Sequence, residues 1–282
     1  MDKILVTGTS GYIGSHFASY IEGSKKVIRF SLRQQKLEDI SFQGVAAVVH
    51  CAGVAHKTKG VSPDVYNRVN NEYALNLARR AKENGVLHFV FLSSVSVYGQ
   101  QSMVSEHSEC LPITEYAKSK LNAEKGLLAL ATEDFTLSVL RIPMVYGPSA
   151  PGNVSRLCNI IKRFSVLPFK NIQNRRSFLG IENLVFSIEQ VLERKVPGIL
   201  LLADDRPLST SRMVELLING YGRPRTLLSA DLIEPLIKRL TPKVHESLWG
   251  NFVINCDDTK EALQLSMPFS PEEGIPKVMA VF

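Results

Sequence analysis

The first twenty residues restrict the fold of this chain more than any other segment. An apolar run rich in β-branched residues, Lys3-Ile4-Leu5-Val6-Thr7, leads through three regularly spaced glycines into a helical pattern. Such glycines let the chain turn tightly and let the backbone approach a diphosphate, while the helix start offers free N–H groups to an anion. The sequence therefore predicts a strand, an anion-binding turn and a helix. The residues predicted to line this turn are Gly8, Gly11, Tyr12, Ile13 and Gly14.

Strand-like and helix-like patterns alternate after this turn. Strands are expected at 27–30, 45–50, 88–93 and 135–141, and helices at 64–84 and 114–132. Alternation of this kind is typical of a parallel sheet with helices on both faces. We therefore expect an α/β protein with a Rossmann-type, doubly wound parallel sheet.

Prolines and glycines after residue 143 indicate a second, smaller lobe that is interleaved with the first. We expect a dinucleotide-binding domain at 1–150, to which residues 176–205 return. Residues 151–175 and 206–282 then form a substrate-binding lobe.

Composition excludes several classes of function. The 282 residues are 45% hydrophobic with a net charge of +6, and none of their apolar runs approaches the roughly 20 residues that span a bilayer. Because the charge is modest and spread along the chain, nucleic acid is not expected as a partner. Four cysteines without a C-x-x-C pair favour reduced thiols and no metal site. The N-terminus starts directly in a strand, so we expect a cytoplasmic protein without membrane insertion.

Candidate catalytic residues lie in a predicted helix, and candidate cofactor-binding residues follow a predicted strand. Tyr116 and Lys120 stand four residues apart in a helical pattern and so share one face. An ammonium group near a phenol favours the phenolate, which moves the tyrosine towards a useful acid/base pKa. Because ligands of open α/β sheets bind beyond the carboxyl ends of strands, the small residues Cys51, Ala52 and Gly53 are expected against a cofactor.

The whole pattern resembles the extended short-chain dehydrogenase/reductase family, also called the NAD-dependent epimerase/dehydratase family. The resemblance rests on the glycine turn, on the Ser93-Ser94-Val95-Ser96 segment and on the Tyr116/Lys120 pair, and it runs nearly end to end. It implies that Ser94 hydrogen-bonds the reacting oxygen and that Tyr116 is the acid/base. It also implies that Lys120 lowers the tyrosine pKa and holds the nicotinamide ribose. Tyr116, Lys120 and Pro143 would thus contact the cofactor.

The same resemblance implies a nucleotide-sugar substrate, with UDP as the nucleotide. Asn153 and Arg176 would hold the diphosphate, Phe169 would border the base, and Ser94, Ser96 and Tyr116 would face the sugar. Core packing is an alternative role for Phe169, and a surface ion pair is an alternative role for Arg176. The narrower likeness is to bacterial 4-epimerases and 4-keto reductases of surface-polysaccharide synthesis.

The second strand separates the two reactions. NAD sites usually end this strand with an acid, whereas NADP sites need donors and positive charge for the 2′-phosphate. Ser31 stands at the acidic position and Arg33 two residues later, which favours NADP(H), with NAD(H) as the alternative. A 4-keto reductase consumes NADPH, whereas a 4-epimerase usually retains NAD. The sequence therefore favours 4-keto reduction over 4-epimerisation. A dinucleotide-binding regulator without catalysis is kept as a hypothesis of another class, and a homodimer stays open.

Overall fold

The computed structural model describes residues 3–54 and 61–280. Its strands are β1 (Lys3–Thr7), β2 (Lys26–Phe30), β3 (Val45–His50), β4 (His88–Ser94), β5 (Met103–Val104), β6 (Thr136–Ile142), β7 (Met144–Tyr146), β8 (Val166–Lys170), β9 (Phe178–Gly180), β10 (Gly198–Leu201), β11 (Thr226–Ser229) and β12 (Val253–Ile254). Its α-helices are α1 (Tyr12–Ile21), α2 (Pro63–Tyr66), α3 (Tyr73–Glu83), α4 (Glu115–Leu128), α5 (Asn153–Arg163), α6 (Ile181–Arg194), α7 (Thr210–Tyr221), α8 (Glu234–Leu240), α9 (Pro242–Trp249), α10 (Asp257–Leu263) and α11 (Pro271–Ala280).

Six strands form one parallel sheet in the order β10-β6-β4-β3-β1-β2. The chain leaves β1 for β2 on one side and returns to β3 on the other. The strand order therefore reverses between β1 and β3, which is where ligands of such sheets bind. The predicted doubly wound α/β fold is confirmed.

Both faces of the sheet are covered by helices with apolar stripes. On one face α1 and α6 pack against the sheet, and α6 buries Ile181, Leu184, Ile188 and Val191 at helical spacing. On the other face α3 and α4 cover Leu5, Val48 and Phe89 among others. Because the central strands are buried on both sides, most of their residues are apolar, with a few buried polar side chains such as His50 and Ser138 among them.

Helix α4 is shorter than the sequence pattern predicts. It ends at Leu128 rather than at 132. Thr132 and Phe135 instead exchange backbone hydrogen bonds in a tight turn, which redirects the chain into β6. The helix at 64–84 is also divided, because residues Asn67–Glu72 between α2 and α3 form a π-helical segment.

A second core lies outside the main sheet. It joins α5, α7 and α11 with the two-stranded pairs β8–β11 and β7–β9. Strand β10 pairs with β6 inside the main sheet, so the chain crosses between the two cores more than once. The residue boundaries of the two lobes stay a prediction. Within the described residues, no helix combines the length and apolar character needed to cross a membrane.

Candidate active site

The glycine turn lies at the point where the strand order reverses. Gly8 has φ +72, and a Cβ atom there would lie 2.6 Å from the backbone nitrogen of Ala52. A Cβ on Gly14 would lie 2.4 Å from the Gly8 carbonyl oxygen. Gly11 precedes α1 and provides no side-chain cap. These glycines therefore keep the backbone bare beside a helix N-terminus, which is an anion-binding arrangement.

Tyr12 and Ile13 begin α1 and lie against the two cores. Within the described part of the chain, the buried phenol oxygen of Tyr12 has no hydrogen-bond partner. Burial raises the pKa of this phenol well above its ordinary value. Ile13 packs on the core between the sheet and α6. Both side chains thus shape the start of α1, and their contact with a cofactor stays a prediction.

The end of β2 adjoins the glycine turn. Ser31 is buried, and its hydroxyl donates to the Ser10 hydroxyl at 3.1 Å. The backbone nitrogen of Ser31 donates to the Gln35 side chain at 3.1 Å. Arg33 is exposed close by in sequence. No carboxylate occupies the strand end itself, so hydroxyls and a guanidinium are the groups available there.

The residues after β3 approach the middle of α4. Cys51 is half-buried, and its pKa is raised to about 12, mainly by burial. Gly53 lies so close to α4 that a Cβ atom there would be 3.5 Å from Lys120 Nζ. Ala52 faces the glycine turn as described above. This segment therefore joins the predicted cofactor turn to the predicted catalytic helix.

Ser94 and Tyr116 are brought together by β4 and α4. Their hydroxyl groups share a hydrogen bond, and Ser94 Oγ also accepts from the Ser96 backbone nitrogen at 3.2 Å. Burial raises the pKa of Tyr116 above its ordinary value, the Ser94 hydrogen bond lowers it in part, and nearby Tyr66 adds to the increase. The Tyr66 ring contacts the Tyr116 ring edge-on, with 6.2 Å between the two ring centres. The two hydroxyls therefore adjoin each other, and burial favours the neutral, protonated form of the tyrosine.

Lys120 lies one turn further along α4 and is 5% exposed. Its ammonium group donates to the Leu92 carbonyl at 2.7 Å and lies 4.5 Å from the centre of the Phe91 ring. Burial lowers its pKa to about 8, while Glu124 and Cys51 act in the opposite direction. The predicted lowering of the Tyr116 pKa by Lys120 is not found in this arrangement, because burial of the phenol dominates and Lys120 faces a carbonyl.

Sequence reasoning missed Asn70, which lies in the π-helical segment. Its side-chain oxygen accepts from the Val54 backbone nitrogen at 2.8 Å, and its nitrogen donates to the Val54 carbonyl and to Ser119 Oγ. Asn70 is fully buried and so clamps the segment after β3 to α4. One asparagine in a helical pattern gives no signal of this role.

A buried ion pair behind the site was also missed. Arg141 donates to Glu124 Oε2 at 2.6 Å and to the Tyr98 hydroxyl at 2.8 Å, and Ser93 donates to Glu124. Burial alone would lower the pKa of Arg141, but the hydrogen bonds and charge of Glu124 raise it above its ordinary value. These contacts tie α4 to β4 and β6. Arg141 is therefore engaged by buried partners inside the core.

The predicted substrate residues are more widely spread. Asn153 is exposed at the start of α5, whereas Phe169 is 8% exposed and packs in the second core. Ser96 lies in the short turn after β4 with its hydroxyl unpaired among the described residues, and Pro143 is buried between β6 and β7. Phe169 thus packs in a core, which is the alternative role considered for it above. Its contact with a base stays a prediction.

Arg176 lies where the second lobe meets the loop after β4. Its guanidinium donates to the carbonyl oxygens of Glu246 and Gly250 at 3.2 and 2.9 Å, and burial lowers its pKa. A cavity of about 220 Å³ opens beside it. The residues lining this cavity are Gly99, Gln100, Gln101, Arg176, Lys243, Glu246, Ser247, Asn251 and Phe252. Arg176 therefore borders a space at the lobe junction, and it forms no ion pair with any other residue that the structure describes.

Within the described residues, no group of three or more His, Cys, Asp or Glu side chains could hold a metal ion. The arrangement instead combines an anion-binding turn with two hydroxyls and a lysine at one edge of the sheet. These groups can bind a dinucleotide and move a proton at an oxygen atom.

Comparison with known proteins agrees with this arrangement. Residues 4–203 match the model of the NAD dependent epimerase/dehydratase family. The UDP-glucose 4-epimerase of Vibrio cholerae is 28% identical to this chain. The alignment, 312 residues long including its gaps, covers 99% of this chain and 95% of that protein.

Two solved structures share the fold over 99% of this chain. UDP-glucuronic acid 4-epimerase from Bacillus cereus in complex with NAD has a TM-score of 0.79 at 20% identity, with 98% of its own chain covered. RMD from Pseudomonas aeruginosa complexed with NADPH has a TM-score of 0.81 at 18% identity, with 99% covered. The family model matches residues 4–203, which is more than half of the chain, and this chain therefore belongs to the NAD dependent epimerase/dehydratase family.

Proposed function

We propose that the protein transfers hydride at C4 of a hexose carried by a nucleotide diphosphate, with UDP as the nucleotide. The observation that carries this proposal is the hydrogen bond between Ser94 and Tyr116 beside Lys120. A carbon that gains hydride needs its oxygen to gain a proton, and a carbon that loses hydride needs its oxygen to lose one. Two adjoining hydroxyls would serve that oxygen.

The residues present fit a nicotinamide dinucleotide. The bare backbone at Gly8 and Gly14 leaves room for a diphosphate that a Cβ atom would fill, and the start of α1 offers N–H groups to its charge. Ser31 and Arg33 would hold the adenosine ribose, and Tyr116, Lys120 and Pro143 the nicotinamide end. A bound nicotinamide would supply or accept the hydride. Because the end of β2 lacks a carboxylate, we favour NADP(H) over NAD(H).

Tyr116 handles the proton. Its raised pKa keeps the phenol protonated near neutral pH, so it can donate a proton to a ketone oxygen at C4. Ser94 would donate a second hydrogen bond to the same oxygen and hold the carbon in place. In the oxidising direction the phenolate that remains after this donation would accept the proton of the C4 hydroxyl.

The UDP part of the substrate would be bound by Arg176, Asn153 and Phe169. The Arg176 guanidinium borders the cavity and has further N–H groups suited to diphosphate oxygens. Asn153 stands at the exposed start of α5, where N–H groups also favour an anion. An edge of Phe169 would border the base.

Two reactions use this set of groups, and each has one supporting observation. Ser31 and Arg33 favour a 4-keto reductase that consumes NADPH. Similarity to the 4-epimerases of Vibrio cholerae and Bacillus cereus favours a 4-epimerase. The cytoplasmic location and the homodimer stay predictions.

Replacing Tyr116 by Phe tests the proposal, because it removes only the phenol oxygen. We expect the cofactor to bind as before and turnover of UDP-hexoses and their 4-keto forms to fall by about 10² to 10⁴-fold. Tyr20→Phe is the matched control, since Tyr20 is exposed on α1 and donates to Glu189. Wild-type turnover in Tyr116→Phe would refute the assignment. Cofactor binding by the wild type without turnover of any of these sugars would favour a regulator.

A further inference from the structure

Asp204 is a buried carboxylate just after β10, where the main sheet meets the second core. It is 4% exposed. Tyr146 donates to its Oδ2 at 2.7 Å and Asn183 donates to its Oδ1 at 2.7 Å. The Gly180 backbone nitrogen lies 3.1 and 3.2 Å from the two oxygens. Among the residues that the structure describes, none forms an ion pair with Asp204.

A carboxylate in this position costs stability. Burial raises the pKa of Asp204, and the hydrogen bonds from Asn183, Tyr146 and Gly180 lower it again in part. Apolar side chains of similar volume would avoid the cost of burying a charge. The contacts of Asp204 therefore indicate a role in arranging the segments that it joins.

The donors to Asp204 come from three different segments. Tyr146 belongs to β7, Gly180 ends β9, and Asn183 lies in the first turn of α6. Asn183 also exchanges two hydrogen bonds with the Phe269 backbone, just before α11. One carboxylate therefore fixes β7, β9 and the start of α6 relative to the end of β10.

The chain after β10 also holds the segment that carries Arg176. The Asp204 nitrogen donates to the Phe178 carbonyl at 2.9 Å, and Leu208 exchanges two backbone hydrogen bonds of 2.9 Å with Arg176 in antiparallel orientation. The Asp204 carboxylate binds Gly180 at the other end of this contact. The position of Arg176 along the chain after β10 is therefore fixed at both ends of β9.

We propose that Asp204 is a positioning residue that directs the Arg176 guanidinium towards the diphosphate of the substrate. This inference rests on the proposed function, in which Arg176 binds that diphosphate. Arg176 borders the cavity of about 220 Å³, and its Nη1 donates to the carbonyl oxygens of Glu246 and Gly250. A guanidinium makes paired contacts to phosphate oxygens only when its planar fork faces them, so a shift of its backbone weakens the contact.

Replacing Asp204 in the whole chain tests the proposal, with UDP binding measured by calorimetry and dinucleotide binding by fluorescence. Asp204→Ala leaves three buried donors without their acceptor, so β9 should move. We expect UDP binding to weaken about tenfold or more and dinucleotide affinity to change less than about twofold. Asp204→Asn should bind UDP more tightly than Asp204→Ala does. Its amide oxygen still accepts from Gly180 and Asn183, and its nitrogen donates to the Tyr146 oxygen.

Asp205→Ala is the matched control, because Asp205 is the exposed neighbour and pairs with Lys260 at 2.6 Å. It should bind UDP as the wild type does. Asp204→Ala combined with Arg176→Ala should weaken UDP binding no further than Arg176→Ala alone, because both changes remove the same contact. A merely structural role would lower the affinity for UDP and for dinucleotides alike, and that result would overturn the proposal.

Thermal unfolding verifies that each variant folds. If Asp204→Ala does not fold, Tyr146→Phe replaces it in every comparison, because it removes one donor to the carboxylate and should weaken UDP binding about threefold. Wild-type UDP binding by the folded variant, or losses that multiply in the double variant, would contradict the role of Asp204. If Arg176→Ala weakens UDP binding in the same series, the proposed function survives that result. Unchanged UDP binding in Arg176→Ala would refute both.

Discussion

Replacing Lys120 by Met should reveal the cost of keeping the Lys120 charge buried. Lys120 is almost fully buried on α4, and its pKa falls from 10.5 to about 8 because burial disfavours the ammonium. Methionine has a similar length and no charge, so it fills the same space without that cost. We expect the variant to lose turnover and to differ from the wild type in how its stability depends on pH.

The magnitude follows from the pKa change. A folded-state pKa below the unfolded value means that the unfolded chain binds more protons, so wild-type stability rises with pH across this range. At pH 7 the buried charge costs about 3 kcal/mol, and at pH 10 the cost falls to about 1 kcal/mol. Loss of the bond to the Leu92 carbonyl costs the variant about 1–3 kcal/mol at every pH. The variant should therefore be as stable as the wild type or more so at pH 7, and should lose about 2 kcal/mol relative to it by pH 10.

Urea unfolding at pH 7, 8, 9 and 10 measures these free energies of unfolding. Lys118→Met is the matched control, because Lys118 is exposed on the same helix and pairs with Glu115 at 2.8 Å. The control should follow the wild type at every pH. A difference between Lys120→Met and the wild type that stays constant from pH 7 to pH 10 would refute the reasoning.

Three further substitutions test the predicted binding groups. Arg33→Ala should weaken NADP(H) binding about tenfold or more while leaving NAD(H) binding unchanged, because one charge-assisted contact to the 2′-phosphate is removed; fluorescence titration of both dinucleotides measures this. Arg176→Ala should raise KM for a UDP-sugar by more than about tenfold with little change in cofactor affinity, as steady-state kinetics would show. Gly8→Ala should abolish dinucleotide binding and lower the melting temperature, because its Cβ would meet the Ala52 backbone at 2.6 Å with φ at +72.

Each of these variants has a control on the same part of the chain. Arg29→Ala removes a guanidinium from β2 that pairs with Glu22, and it should leave dinucleotide preference unchanged. Arg175→Ala removes the exposed neighbour of Arg176 and should leave KM unchanged. Gly23→Ala adds a Cβ atom whose nearest contact among the described residues is the Tyr20 backbone oxygen, at 3.8 Å, and it should be tolerated. Equal effects in a variant and its control would contradict the corresponding assignment.

Local signals explain why much of the fold could be predicted from the sequence. The β-branched run before the glycines, and the four-residue interval between Tyr116 and Lys120, are each contained in one short segment. Backbone geometry then forces the rest, because a parallel sheet gathers the carboxyl ends of its strands at one edge. This is why Ser94 meets Tyr116, although 22 residues separate them.

Contacts between distant segments could not be predicted in the same way. Asn70 acts through a π-helical segment and two bonds to Val54, and neither leaves a periodic pattern. The pKa of Tyr116 depends on how deeply the phenol is buried, which tertiary packing decides. Glu124 stands four residues after Lys120 on the helix pattern, so its place on the same face was available from the sequence. The pairing of Glu124 with Arg141 could not be predicted, because Arg141 lies on a different element.

The fate of a deuterium label at C4 tests the central claim most directly. The wild-type protein is incubated with a UDP-hexose carrying deuterium at C4 and with oxidised NAD or NADP, and NMR locates the label. Hydride transfer predicts that the deuterium stays bound to carbon, at C4 of the epimeric sugar for an epimerase or on the nicotinamide ring for an oxidoreductase, and that Tyr116→Phe gives neither product. Release of the label into water, or a label that stays on unreacted sugar across the UDP-hexoses, would contradict the account.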